Sequence, residues 1–431
     1  TNTSSALDLS FEIQRALADF NQNAASRPLQ IPQSPVTQPP ETILLTGATG
    51  FLGSQILRHL LELPHIKRVI TLVRAPDHNK ATTRVIESAQ KSKWWHDSYS
   101  SRLEVWVGDL SKPGLGLNAA QWCCIEARSE SSSSIDAIIH NGATVHWGYD
   151  YQGLEAVNVT STVSLLASLT RSPRPPRFTF ISGGQLFFGA DDNHDEVRAF
   201  AQMMKTAGGY AQTKYVADQV VKQFARRYTT SIATIVKPGL IVGTTDSGVS
   251  NTDDFLWRVV ASVVDIGAFN STGLDGLILV SGSHQVATAI LADVLHPRPH
   301  GHSVETSIRY GIPVGELWDM LRDDFGYQLE AVDAAEWLVR LRTHVETNGE
   351  KHRLWPVFHL LEATGGCLGV PMPAHLRQDE HNDEVKASLR RSIAYLREVG
   401  YLSSANTANG GSSLLLQKDL VFARAGGIIR T

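Results

Sequence analysis

The sequence predicts an α/β protein: a doubly wound parallel sheet over residues 42–245, followed by a smaller, mostly helical region over 246–431. Three observations predict it. Short apolar runs alternate with helical periodicity over roughly 200 residues from Thr42 onward, the pattern of βαβ units. Beyond about Gly243 that alternation fades into helical patterns. The chain has 431 residues, 42% hydrophobic and 19% charged, close to globular averages and long enough for a large core without disulfide or metal staples.

The elements follow in order. Residues 7–20 carry Leu9, Ile13, Leu17 and Phe20 on one helical stripe. Residues 21–41 are rich in Pro, Gln, Asn and Ser, which reads as an extended linker or as a loop lying against the domain. The run Thr42-Ile43-Leu44-Leu45 then reads as a strand buried on both faces. A Gly-rich turn follows, and residues 51–63 read as a helix through Leu52, Ile56, Leu60 and Leu63. Further strands are expected at 68–74, 103–107, 137–140, 178–182 and 232–236. Serine runs at 129–134 and Ser/Pro at 172–176 read as surface loops. In the second region, helices are expected at 255–266, 315–325, 334–345 and 355–364, with a strand at 277–280. Residues 406–431, Gly/Ser-rich and then apolar, have no assignment.

Composition narrows the function classes. Thirty-nine basic against 43 acidic residues give a formal net charge of −4, so no basic surplus points to nucleic acid or an anionic membrane. No apolar run approaches the ~18–20 residues that span a bilayer. The opening Thr1-Asn2-Thr3 has the form of a chain taken from something longer and lacks a signal-peptide pattern. Cys123 and Cys124 are adjacent and Cys367 is alone, which fits a reducing, cytoplasmic setting. The histidines His140, His146, His284, His300 and His302 show no ligand spacing, so no metal is expected. No Gly-x-Ser-x-Gly elbow is present, which disfavours a hydrolase.

Two motifs carry chemistry. Thr46-Gly47-Ala48-Thr49-Gly50-Phe51-Leu52-Gly53 follows a predicted strand and opens a helix. In that context the glycines permit a tight turn and close approach to a pyrophosphate, and the helix N-terminus supplies amide donors, as in a Rossmann-type dinucleotide site. An acid that would hold a ribose 2′-hydroxyl is expected ~20 residues after the glycines. Arg74 stands there instead, with no acid before Asp77 and with Arg84 as a second basic candidate. A guanidinium grips a 2′-phosphate, so NADPH is expected over NADH. Gly108-Asp109-Leu110 ends the third strand, where Asp109 would meet the adenine; Asn141-Gly142-Ala143 ends the fourth, where small residues let a cofactor approach. The second motif is Tyr210-Ala211-Gln212-Thr213-Lys214. Tyr and Lys four apart share a helical face, and the ammonium lowers the phenol pKa so that it exchanges a proton with a carbonyl near neutral pH.

Together with Lys237-Pro238-Gly239, these motifs resemble an extended short-chain dehydrogenase/reductase. Within that superfamily the chain is similar to the terminal thioester reductase domains of nonribosomal peptide synthetases and related hybrids. Supporting stretches are Ile139-His140-Asn141-Gly142-Ala143, Tyr151-x-x-Leu154-x-x-x-Asn158-Val159-x-x-Thr162 and Asp254-Phe255-Leu256-Trp257-Arg258, and the likeness spans roughly residues 42–362. The resemblance implies a cofactor site over Thr46, Gly47, Thr49, Gly50, Phe51, Leu52, Gly53, Arg74, Arg84, Asp109, Leu110, Asn141, Gly142, Ala143, Asn158, Tyr210, Lys214, Pro238 and Gly239. It implies a catalytic set of Ser182, Tyr210 and Lys214, with the Ser/Thr position falling on Ser182 or, one residue on, on Gly183. It also implies that residues 1–41 tether the domain to an upstream carrier domain whose phosphopantetheine arm holds a peptidyl or acyl thioester. The chain departs from the family pattern at Lys237, where Arg is frequent, and at Ser281-Gly282-Ser283-His284, where an Asp is frequent. The expected activity is NADPH-dependent release of the thioester as an aldehyde, with further reduction to an alcohol or cyclisation left open. The alternatives are a non-redox cyclising release domain on the same fold and a non-catalytic NADP-sensing regulator.

Overall fold

The computed structural model describes residues 7–25, 39–128, 134–183, 204–205, 207–228, 232–296, 304–370, 382–404 and 422. The expectations for most of the 21–41 and 129–134 segments, for His300 and His302, and for nearly all of 406–431 lie outside these residues.

Seven parallel strands form the main sheet: β1 (Thr42–Thr46), β2 (Arg68–Val73), β3 (Leu103–Val107), β4 (Ala137–His140), β5 (Arg177–Ile181), β6 (Ala233–Lys237) and β10 (Glu305–Ser307). Their order is β10-β6-β5-β4-β1-β2-β3, with Thr46 opposite Leu72 on one side and His140 on the other. Strand order reverses between β1 and β4, the place where open α/β sheets bind ligands beyond their carboxyl ends. Strands β1 and β4 are buried along their whole length, which is why they read as unbroken apolar runs.

Helices α2 (Phe51–Glu62), α3 (His78–Lys91), α4 (Ala119–Ile125), α5 (Tyr151–Glu155), α6 (Ser161–Arg171) and α7 (Gly209–Tyr228) accompany the strands. Leu165, Leu166 and Leu169 of α6 join Val216, Val220 and Phe224 of α7 and Phe178 and Phe180 of β5 in one core. A π-helical segment, Ala156–Thr160, separates α5 from α6. Such insertions recur at functional sites because they reset which side chains face inward.

Compact unit one comprises Thr1–Gln90, Trp94–Pro238 and Ala287–Ile308; unit two comprises Lys91–Lys93, Gly239–Val286 and Arg309–Thr431. This differs from the expected boundaries at residues 41 and 245. Helix α1 (Leu9–Asn23) belongs to the first unit: Leu9, Ala16 and Phe20 join its core, Phe20 meets Phe224 edge-on at 5.8 Å, and Ala25 N donates to Thr170 Oγ1 at 2.8 Å. Strand β10 pairs with β6 and brings residues 287–308 back to the first unit.

The second unit contains a three-stranded sheet in the order β11 (Gly311–Pro313), β9 (Leu277–Gly282), β7 (Leu240–Val242), and a parallel pair, β12 (Glu330–Val332) with β8 (Ala268–Asn270). Its helices are α8 (Phe255–Ile266), α10 (Val314–Asp319), α11 (Ala334–Asn348), α12 (Phe358–Ala363) and α13 (Asn382–Glu398). Helix α9 (Ser283–Leu295) begins in this unit and ends in the first. Among the described residues no helix is long and apolar enough to cross a membrane.

Candidate active site

The glycine turn lies at the β1/β4 reversal. Gly47 has φ +73°, and a Cβ there would lie 2.7 Å from Gly142 Cα; one on Gly53 would lie 1.9 Å from Gly47 O. These glycines are required by packing: β1's turn and β4's exit touch backbone to backbone. Gly50 is the N-cap of α2 and makes no side-chain cap hydrogen bond. A glycine at this position lets a pyrophosphate approach the N-terminus of a helix. Ser88 Oγ donates to Thr49 O at 3.1 Å and fixes the turn from α3. Leu110 packs on Gly142, and Asn141 Nδ2 reaches Gly47 O at 3.4 Å.

Arg74, just after β2, and Arg84, on α3, are exposed, and the Arg84 guanidinium donates to the Arg74 carbonyl. The two basic groups therefore share one locality. Asp109 is bonded by Ser111 N at 2.9 Å and Ser111 Oγ at 2.7 Å. Burial pushes its carboxyl up, but these bonds and the charges of Arg74 and Lys112 outweigh that and hold it below the usual range.

His140, at the end of β4, is fully enclosed. Thr46 Oγ1 accepts from Gly142 N at 2.8 Å, which frees its own proton for His140 Nδ1 at 2.9 Å. His140 Nε2 faces Thr162 Oγ1 at 3.1 Å and Ser161 Oγ at 3.2 Å. Those hydroxyls donate to Asn158 O and Val157 O in the π-helical segment. The network assigns the neutral Nε2–H tautomer. Burial, aided by the Lys214 charge, pushes the imidazole down to about 3.

Tyr210 and Lys214 stand on one face of α7. Lys214 is 3% exposed. Its Nζ donates to Ile181 O, at the end of β5, at 2.5 Å and lies 4.4 Å from the Phe180 ring centre. Burial pushes this ammonium down to about 7, against the opposing pull of Asp218. Trp147 meets Tyr210 edge-on at 6.4 Å. Close packing holds that loop, since a Cβ on Gly209 would lie 2.3 Å from Asp150 C. Asn158 is buried and ties Thr144 to Thr213, so its side chain braces the site.

Ser182 follows β5 and is buried, near Asp218, and its hydroxyl makes no hydrogen bond among the described residues. Pro238 is buried at the end of the first unit, whereas Gly239 packs in the second, where a Cβ would lie 2.5 Å from Leu279 O. Lys237, 1% exposed, reaches Glu305 at 2.8 Å. The sequence reading missed Asp218, Lys222 and Glu305; the 218/222 spacing was available, but Glu305 arrives from a distant strand. No group of three or more His, Cys, Asp or Glu side chains suited to a metal occurs among the described residues.

The NAD-binding family model described as Male sterility protein matches residues 45–280, more than half of the chain. The chain belongs to this family. Over 423 residues it is 48% identical to nonribosomal peptide synthetase atnA of Emericella nidulans, covering 92% of this chain and 6% of that synthetase. It thus spans a small fraction of that relative's length. The PhqB reductase domain of Penicillium fellutanum superposes with a TM-score of 0.74 at 32% identity, covering 89% of this chain and 98% of that one. The terminal R domain of the myxalamid PKS-NRPS pathway gives 0.74 at 26% identity, covering 93% and 100%. The chain is a reductase domain of the nonribosomal peptide synthetase type, within the short-chain dehydrogenase/reductase superfamily. The glycine turn of this reductase domain, with its closely packed glycines and a glycine N-cap on α2, suits a nicotinamide dinucleotide.

Proposed function

We propose that this reductase domain releases a carrier-bound peptidyl or acyl thioester by NADPH-dependent reduction to an aldehyde and a free carrier thiol. The observation that carries the reading is the placement of Lys214: buried, anchored on Ile181 O, and one helical turn from Tyr210. NADPH, when bound, supplies hydride for the thioester carbonyl. Gly47, Thr49, Gly50 and the start of α2 would hold its pyrophosphate, and Arg74 with Arg84 its 2′-phosphate. Tyr210 hydrogen-bonds the carbonyl oxygen and gives it a proton as negative charge develops. Lys214 favours the phenolate form of Tyr210, which makes that proton available near neutral pH. Trp147 limits the freedom of the Tyr210 ring.

An upstream carrier domain on the same polypeptide is the proposed source of the substrate; similarity to a synthetase of which the chain spans 6% supports this. The test is incubation with NADPH and a panel of acyl-pantetheine thioesters, with products identified by mass spectrometry. Aldehyde formation supports the reading. Lactam, lactone or Dieckmann-type products without NADPH use would support cyclising release instead.

A further inference from the structure

Next to Lys214 lies a charge cluster, buried at Asp218 and Lys237 and half-buried at Lys222 and Glu305, that the family motifs do not include. Asp218 is one helical turn past Lys214 on α7 and 1% exposed. Lys222 and Lys237 each lie 2.8 Å from Glu305 and 3.6 and 3.5 Å from Asp218. Two carboxylates and two ammonium groups therefore balance one another. Lys214 is the fifth charge. Its direct partners are a carbonyl and an aromatic face, so its cation depends on the field of the cluster.

We propose that Asp218 is a positioning residue for reduction: paired with Lys222 and Lys237 one helical turn from Lys214, it favours the protonated form of that lysine. This rests on the reductive reading above. Glu305 is the tighter partner of both lysines, and their charges hold its carboxyl below the usual range despite burial. Asp218, further from them, is pushed up by burial, with Lys237, Lys222 and the Ser182 hydroxyl opposing that push. The Ser182 hydroxyl, near Asp218 and without a hydrogen-bond partner among the described residues, adds a weaker dipole to this field.

Among the described residues, charged or titratable groups near Lys214 come from four elements. From α7 these are Tyr210, Asp218 and Lys222; from β6, Lys237; from β10, Glu305. His140 at the end of β4 is neutral through the working range. Strand β5 contributes Phe180 and the Ile181 carbonyl, which carry no charge.

The sign follows. Lys214 acts as a cation and titrates at about 7, so the rate falls as pH rises through that value. Removing the Asp218 charge lowers the Lys214 pKa and moves the fall to lower pH, by about one unit for a nearby opposite charge. The experiment is single-turnover NADPH oxidation by wild type, Asp218→Asn, Asp218→Glu and Ser182→Ala across pH 5.5–8.5. Asp218→Asn should lose roughly eightfold at pH 7.5 and less than about twofold at pH 5.5, as a one-unit shift dictates. Asp218→Glu should restore the wild-type profile to within a few tenths of a unit. Ser182→Ala should shift it in the same direction by less; it removes no charge and serves if Asp218→Asn does not fold. An unshifted limb in folded Asp218→Asn, or in Ser182→Ala where the former does not fold, overturns the proposal. A loss with Ser182→Ala that is equal at all pH values overturns its part in the field and returns Ser182 to the oxyanion. A wild-type domain that oxidises no NADPH overturns the reductive reading itself, a result distinct from an unshifted limb.

Discussion

The Asn158 side chain donates to Thr213 Oγ1 at 3.0 Å, and its amide also closes on both backbone groups of Thr144, at 2.8 and 3.0 Å. A single buried side chain on the π-helical segment therefore ties the loop after β4 to the helix that carries Tyr210 and Lys214. Thr213 in turn donates to Tyr210 O at 2.9 Å. Asn158→Ala leaves the Thr144 N–H and C=O without these partners, a cost on the order of 2–3 kcal/mol. Chemical denaturation at pH 7 should show a loss of that size, and an unchanged midpoint would remove Asn158 from this role.

Tyr210→Phe should reduce turnover by at least about a hundredfold, the range of a lost general acid. NADPH affinity, measured by fluorescence titration, should stay within a few-fold, because the phenyl ring keeps its edge contact with Trp147. Retention of more than about a tenth of wild-type turnover would contradict the assignment.

Much of this site was legible because its motifs are local. The strands at Leu103–Val107 and Ala137–His140 fall on the residues expected, since β-branched and aromatic side chains in each are followed at once by Gly108 or Asn141. Strand β5 lies one residue earlier than expected, at Arg177–Ile181, because the Arg177 side chain finds Val294 O and Leu295 O at 2.6 and 3.0 Å and tolerates the strand start. Strand β10 has the polar sequence Glu-Thr-Ser; only its pairing with β6 makes it a strand. Helix α13 was readable but overlooked: Val385, Leu389, Ile393 and Leu396 keep helical spacing and are all buried. The charge cluster was not readable, because Lys222 and Lys237 acquire their partner only when Glu305 returns to the sheet edge.

Arg74→Ala should weaken NADPH binding by about 2–3 kcal/mol, roughly 30- to 150-fold, and NADH binding far less. Arg84→Ala should act in the same direction and more weakly, because its guanidinium also bonds the Arg74 carbonyl. Calorimetric titration with both cofactors checks this. Equal losses for NADPH and NADH would make both residues structural.

His140 gives the fold an acid sensitivity. Its folded pKa of about 3 lies below the unfolded value of 6.5, so the folded state resists a proton that the unfolded state accepts. The stability is fully present above pH 6.5 and is lost as pH falls toward 3. At pH 4 the loss is on the order of 3 kcal/mol. Urea midpoints at pH 7 and pH 4 should differ less in His140→Gln than in wild type. An equal pH dependence would show that other groups control acid unfolding.

The central claim is that this domain couples thioester cleavage to cofactor oxidation. The most direct measurement is the ratio of NADPH oxidised, followed by absorbance, to pantetheine thiol released in a single turnover of an acyl-pantetheine thioester. The account predicts at least one NADPH per thiol, with an aldehyde or its alcohol as the product. Thiol release with no loss of NADPH absorbance would contradict it.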